Sequence, residues 1–189
     1  QDGTVIKIPP VLCMSVFGKI KDASKSVTSD FKKIGSVICL VGKLNDSLGG
    51  SVYYQVNNVL GNSVPKVDLK ILPKEFSVIN KAITSGEVLS VHDVSEGGVI
   101  SAIFEMCVGG NLGAALKIDE SLIFNETVGV FIVEVEDEEV AKRLFKNIPY
   151  KILGKTQNDP ILEVENLFKA DVNKLKEVGS ELAEEAKEI

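Results

Sequence analysis

The run Ser36–Gly42, SVICLVG, carries no polar side chain between Val37 and Val41. A strand with one wet face alternates apolar and polar residues, whereas a strand that is apolar at every position must be covered on both faces. That single run calls for a sheet with helices packed on it. The rest of the chain supplies candidates for both. VLCMSVFGKI (11–20), VLSVHD (88–93), GAALKI (113–118) and GVFIVEV (129–135) are β-branched and apolar enough to predict strands, VLSVHD among the buried ones. YKILGKT (150–156) and PILEVE (160–165) predict a closing strand pair.

Helical spacing appears between these runs. A short helix is expected from Ser51 to about Asn57. Residues 58–73 hold Gly61, Asn62, Pro65 and Pro73 and predict a loop. Phe76, Ile79 and Ile83 then predict a helix ended by Gly86. Ile100, Ile103, Phe104 and Cys107 follow the i, i+3, i+4, i+7 rule, with Ser101 and Glu105 on the opposite face and Gly109-Gly110 as the stop. Ala141, Leu144, Phe145 and Ile148 predict a helix over about 137–147, and Leu175, Val178, Leu182 and Ala186 stripe a final charged one. With no repeat and no low-complexity linker, the 189 residues predict a single α+β domain, a mixed sheet packed with helices. The start, Gln1-Asp2-Gly3, lacks an initiator Met and enters a strand-like segment, which suggests a piece of a longer polypeptide, although tag removal or processing gives the same start.

Charge and cysteines narrow the function classes. A net charge of −6, with Lys32-Lys33 as the one adjacent lysine pair, argues against nucleic acid, which needs a basic face. No apolar run approaches the length of a membrane span, and there is no signal peptide. Cys13, Cys39 and Cys107 each sit in an apolar run without a CxxC, and one histidine cannot build a His-rich zinc site. Buried free thiols in a reducing cytoplasm are expected. Two tripeptides, Asn45-Asp46-Ser47 and Asn125-Glu126-Thr127, fit a glycosylation pattern, but nothing else suggests secretion.

Three segments can carry chemistry. LNDSLGGS (44–51) follows a strand and opens a helix; Gly49 and Gly50 let backbone approach a ligand, free N–H groups at a helix start attract an anion, and Ser51 adds a hydroxyl. The plainer reading is a glycine turn with Ser51 as N-cap, since no Walker lysine follows. HDVSEGG (92–98) places Asp93 at the carboxyl end of a strand, where α/β-type folds put ligands. There Asp93 can hold a metal ion or remain a solvated acid, Ser95 can cap the next helix, and Gly97 and Gly98 clear its first turn. His92 alternates with Asp93 across the strand, so a structural role fits it better than a shared ligand. In FNETVGVFIVEV (124–135), Glu126 and Thr127 precede a strand, where a solvated loop acid is the usual reading. HExxH, GxSxG and GxGxxG are all missing from the sequence.

HDVSEGG followed by a helix bearing Glu105-Met106, with LGGS upstream, resembles the C-terminal domain of the aminoimidazole ribonucleotide synthetase superfamily. Within it, VTSDFKKIGSVICLVGKLNDSLGGSVYY is most similar to the phosphoribosylformylglycinamidine synthases, also called formylglycinamide ribonucleotide amidotransferases; the resemblance runs from about Pro9 to Val135. It implies part of an enzyme of purine biosynthesis, an ATP-dependent C–N ligase. That enzyme turns formylglycinamide ribonucleotide, ATP and glutamine-derived ammonia into formylglycinamidine ribonucleotide, ADP and phosphate, with Mg2+ neutralising the polyphosphate.

The partners it implies are the other domains of the synthase, a glutaminase subunit or domain, and a small phosphorylated ligand. Members carry two tandem copies of an N- plus C-terminal domain pair, and this chain resembles the second C-terminal one. Catalytic residues are expected elsewhere. In the first copy the aspartate matching Asp93 is a magnesium ligand, and a Glu-Ser-Gln matching Glu126, Thr127 and Val128 touches substrate. Val128 cannot hydrogen-bond through its side chain, and Val130 replaces a common Arg, so the third segment reads substrate poorly. Phosphate or nucleotide contacts are therefore expected from Gly49, Gly50, Ser51, Asp93, Ser95, Gly97, Gly98, Glu126 and Thr127. The alternatives are a non-catalytic docking domain of that enzyme and another ATP-dependent member of the superfamily.

Overall fold

The computed structural model describes residues 11–185, the last six as backbone only. The expected strand-like start before Val11, the Leu182 side chain and Ala186 lie outside the described part.

Among the described residues, seven strands form one mixed sheet: β1 Val37–Val41, β2 Val88–Asp93, β3 Gly113–Leu116, β4 Phe131–Val135, β5 Tyr150–Gln157, β6 Ile161–Val164 and β7 Phe168–Asp171. Their spatial order is β2-β4-β1-β5-β3-β6-β7, antiparallel throughout except for the parallel β3–β6 pair. The helices are α1 Val52–Val56, α2 Leu72–Ser85, α3 Gly98–Gly110, α4 Glu138–Phe145 and α5 Val172–Glu185.

Strand β1 lies between β4 and β5 and is buried at every residue, as its sequence requires. Ile38 and Leu40 enter a core with Ile103, Met106 and Val172, from α3 and the start of α5. Val37, Cys39 and Val41 point the other way, to Ile79, Ala82, Ala141 and Phe145 of α2 and α4. The period-2 alternation of one strand thus feeds two cores, one on each face of the sheet.

Four expectations change. VLCMSVFGKI is not a strand. Val11, Leu12, Met14, Val16 and Phe17 are exposed and Cys13 with them, because no strand among the described residues offers this segment a ladder. β2 is an edge strand, not a buried one; part of its outer side is taken by Thr28, whose carbonyl accepts the Val91 N–H at 3.3 Å. Gly109 and Gly110 do not stop α3 but lie in its last turn, and Asn111 in the left-handed region is the cap. A Cβ on Gly110 would stand 2.2 Å from the Phe31 carbonyl oxygen, so glycine there serves close packing of the 30–31 segment. Finally, β5 and β6 do not pair, because β3 inserts between them, and the hairpin partner of β6 is β7.

Candidate functional site

The three glycine- and acid-bearing segments meet at one end of the sheet. After β1 the chain enters LNDSLGGS. Ser51 caps α1, its hydroxyl accepting the Tyr54 N–H at 3.2 Å while donating to the Leu48 carbonyl at 2.6 Å. Ser51 is buried and both roles of its hydroxyl are internal, so it is a cap and not a ligand donor. A Cβ on Gly49 would fall 2.0 Å from the Ser63 carbonyl oxygen; this glycine makes room for the returning loop. The acceptor at the start of α1 is a side chain of the protein itself, since the Val52 N–H donates to Glu126 Oε1 at 2.9 Å.

The second segment leaves β2. Val94 N–H donates to the Val130 carbonyl at 2.8 Å, which carries the chain past the end of the β2–β4 ladder. Ser95 does not cap α3 as its position suggests. Its carbonyl accepts the Gly98 N–H at 3.0 Å, and the N-cap is Gly97, which has no side chain to offer. The missing cap comes from far along the chain: the Gly97 N–H donates to Glu126 Oε1 at 2.8 Å. Gly98 has a φ of +77°, and a Cβ there would stand 2.4 Å from the Phe124 carbonyl carbon. Glycine is required on both counts, and it lets α3 start directly against FNETVG.

The third segment joins the other two. Glu126 Oε1 receives one N–H from the start of α1 and one from the start of α3, an anion placed at two helix N-termini. Beneath it Asn125 and Thr127 are buried. Asn125 Oδ1 accepts both the Thr127 N–H at 3.0 Å and the Thr127 hydroxyl at 2.5 Å. Thr127 Oγ1 in turn accepts the Asn45 N–H at 2.9 Å, and the Asn125 amide donates to the Asn45 carbonyl. Tyr53 of α1 stacks on Phe124, ring centroids 4.7 Å apart and planes within 11°. A satisfied buried polar network of this kind fixes loop geometry more sharply than apolar contact alone.

Above the junction lies a cavity of about 400 Å³ lined by Phe76, Asp93, Ser95, Glu126, Val128 and Phe131. The Asp93 side chain is 69% exposed there, its Oδ1 lying 3.5 Å from His92 Nδ1 and the rest of the carboxylate open to solvent. His92 turns away: Nδ1 donates to the Asp93 carbonyl at 2.7 Å and Nε2 meets Glu105 Oε2 of α3 at 2.9 Å, which ties β2 to α3. Among the described residues no three His, Cys, Asp or Glu side chains gather to hold a metal ion. Asp93 therefore fits magnesium only as a lone carboxylate beside phosphate oxygens, an arrangement that ion accepts. Cys39 and Cys107 are buried as expected, and burial pushes both thiols up to about 12, which keeps them unreactive near neutrality.

Asp93, Gly97, Gly98, Glu126 and Thr127 lie in the adjoining segments at this end of the sheet, but the partners of Glu126 and Thr127 are not legible in the sequence. Asn125 was passed over, although an Asn two residues before a Thr is a ready side-chain turn. Glu134 was missed as well, despite being a carboxylate inside an apolar strand.

An α+β domain whose sheet ends in a loop-built cleft, largely apolar with Asp93, Ser95 and Glu126 in its lining, is the class that these features define. The AIR synthase related protein, C-terminal domain family matches residues 33–165, and the chain belongs to it. The PurL subunit of phosphoribosylformylglycinamidine synthase from Picrophilus torridus is 31% identical over 180 residues, covering 91% of this chain and 24% of that protein. The corresponding PurL of Thermoplasma volcanium is 32% identical over 182 residues, covering 90% and 24%. The chain thus spans about a quarter of the length of the curated relatives it matches. Among solved structures, T. maritima PurL complexed with FGAR superposes with a TM-score of 0.71 at 17% identity, covering 81% of this chain and 30% of that one. Hydrogenase maturation protein HypE in complex with ATP gives 0.56 at 14% identity, covering 78% and 53%. At those identities the likeness is one of fold. No helix among the described residues is long and apolar enough to cross a membrane.

Proposed function

We propose that this chain is one domain of a cytoplasmic phosphoribosylformylglycinamidine synthase, the C-terminal domain of the second copy. There it helps form the site in which formylglycinamide ribonucleotide, ATP and glutamine-derived ammonia become formylglycinamidine ribonucleotide, ADP and phosphate. The observation that carries this reading is the meeting of LGGS, HDVSEGG and FNET around Glu126 in a chain about 30% identical to PurL subunits over most of its length. Solved PurL structures in complex with ATP and with ADP support a nucleotide as the ligand.

The role of each residue follows from its surroundings. Glu126, Asn125 and Thr127 hold the cleft's shape. Gly97 and Gly98 bring the α3 start against it. Asp93 is the carboxylate that this chain lends to a phosphate-bound magnesium, and Ser95 lines the same cavity beside it. No catalytic residue is assigned to this domain. Partner domains of the synthase and its glutaminase supply the rest.

A second reading, a docking domain that binds no ligand, draws on a different observation. Val11, Leu12, Met14, Val16 and Phe17, with Val56 at the end of α1 and Leu60 beyond it, are more exposed than a free-standing domain favours. Calorimetric titration of ADP separates the two. The nucleotide reading expects binding to the synthase assembled with this domain and a loss of one site when the domain's Asp93 end is altered. The docking reading expects an unchanged number of sites.

A further inference from the structure

Beside the cleft, on the far side of the wall formed by Val128 and Gly129, lies a second cavity of about 310 Å³. That size is at the lower end of the range for small-molecule sites. Its apolar wall is Val67, Ile71, Leu72 and Val130, and Glu75 of α2 lines it. Glu75 is only 6% exposed as a residue, and its carboxyl group, open to the cavity rather than sealed in the interior, has no hydrogen-bond or ion-pair partner among the described residues. This contrasts with the buried Glu134, whose carboxylate accepts from Lys32, Lys33, Ser36 and Ser90. Burial first, and then the charge of Asp68, pushes the Glu75 carboxyl up from the ordinary glutamate range. A carboxyl group so placed gains most from an N–H donor that brings positive charge. At the mouth stand Lys43 and Lys66, with the acids Asp46 and Asp68 beside them; neither lysine has an ion-pair partner among the described residues.

We propose that this cavity binds a small zwitterionic amine, its ammonium group donating to Glu75 and its anionic group meeting Lys43 and Lys66 at the mouth. The Glu75 end selects for the ammonium, because a partly desolvated carboxyl group gains from a charged donor and a neutral donor leaves its charge unanswered. The mouth selects for a carboxylate or phosphate a few bonds away. The site does not depend on the nucleotide reading, since its polar groups share no side chain with Asp93, Ser95 or Glu126.

Amide chemical shifts of the 189-residue chain, followed during titration with β-alanine, 2-aminoethyl phosphate, ethylammonium and propionate, test this. The two zwitterions are expected to shift Ile71–Glu75 and Val128–Val130 and to bind about tenfold more tightly than either half alone, a difference of about 1.4 kcal/mol; whichever zwitterion binds better identifies the anionic group. Glu75→Gln is expected to weaken zwitterion binding by about tenfold or more, and the Lys43→Met/Lys66→Met pair to reduce it to the level of ethylammonium. Should Glu75→Gln fail to fold, the wild-type protein still decides. Binding of β-alanine must weaken as pH falls through the Glu75 titration, while that of propionate does not. Absence of shifts around the cavity, propionate binding as tightly as β-alanine, or an affinity indifferent to Glu75→Gln overturns the proposal.

Discussion

Strand β4 has a carboxylate anchor toward each end, Glu134 within the strand and Glu126 in the loop that precedes it, and the two are built differently. At its far end Glu134 is fully buried. Its Oε2 accepts the Lys32 N–H at 2.9 Å and the Ser90 hydroxyl at 2.8 Å, and its Oε1 accepts the Lys33 N–H at 3.0 Å and the Ser36 hydroxyl at 2.6 Å. Ser36 also contacts Thr156 Oγ1 at 2.9 Å, so β1, β2, β4 and β5 are knitted together there. No water is needed and no room is left. At the near end Glu126 is half-buried and uses a single oxygen for Val52 and Gly97, with a cavity alongside. Both carboxylates gather backbone N–H groups from distant loops. One closes its end of the sheet; the other holds its end open. A folded scaffold with one closed and one open end needs its ligand chemistry only at the second.

The contrast can be broken most easily at Glu134. Replacing it with Leu leaves two backbone N–H groups and the Ser90 hydroxyl without their acceptor in a buried position, and should cost about 4 kcal/mol. Even Glu134→Gln should cost about 2–3 kcal/mol, because both oxygens are in use and an amide turns a donor toward donors. Urea denaturation of each variant measures this. Costs below about 1 kcal/mol would mean that water reaches Glu134 and that the end is not closed.

Glu126 should behave otherwise. Since Oε1 alone takes both N–H groups, Glu126→Gln keeps the acceptor and should cost less than about 1 kcal/mol, whereas Glu126→Ala should cost about 2 kcal/mol. The same urea experiment reads both. A Gln variant as unstable as the Ala variant would show that charge, not hydrogen bonding, holds the two helix starts.

The smallest effect sharpens the comparison with a third carboxylate. Glu75 is buried without a partner, and its carboxyl is pushed up by burial and by Asp68. The native state then holds this proton more tightly than the unfolded chain does, so stability falls as pH rises from the ordinary glutamate range through the raised value. Below that window Glu75 makes no difference. Glu75→Gln should therefore leave the melting temperature unchanged in acid and raise it slightly at neutral pH. A variant that melts lower at neutral pH would mean that the carboxylate has a stabilising partner.

How far the sequence revealed this depends on where each signal is local. The two-faced burial of β1 follows from five apolar residues in a row, and the α2 stop from Gly86 in the left-handed region. The failures are nonlocal. VLCMSVFGKI has the composition of a strand, yet a strand also needs a neighbour, and no local pattern tells whether one is present. The insertion of β3 between β5 and β6 is likewise a matter of pairing, not propensity. Ser95 stands where an N-cap belongs, but the donor it would satisfy already has Glu126, 29 residues on. In the cleft, motif order located the residues; only the fold assigns their partners.

The central claim is that the open end faces a ligand while the closed end holds the fold, and Asp93 tests it most directly. Its carboxylate is exposed and separate from the Glu126 junction. The Asp93→Asn substitution would be followed in two ways: a thermal melt of the chain, and calorimetric titration of ADP in magnesium buffer into the synthase assembled with it. The account predicts a melting temperature within about 1 °C of wild type, as for surface substitutions, and ADP binding at one site weakened by about tenfold or more. A collapsed melting temperature with unchanged ADP affinity would contradict it, making Asp93 a turn residue and the open end a structural one.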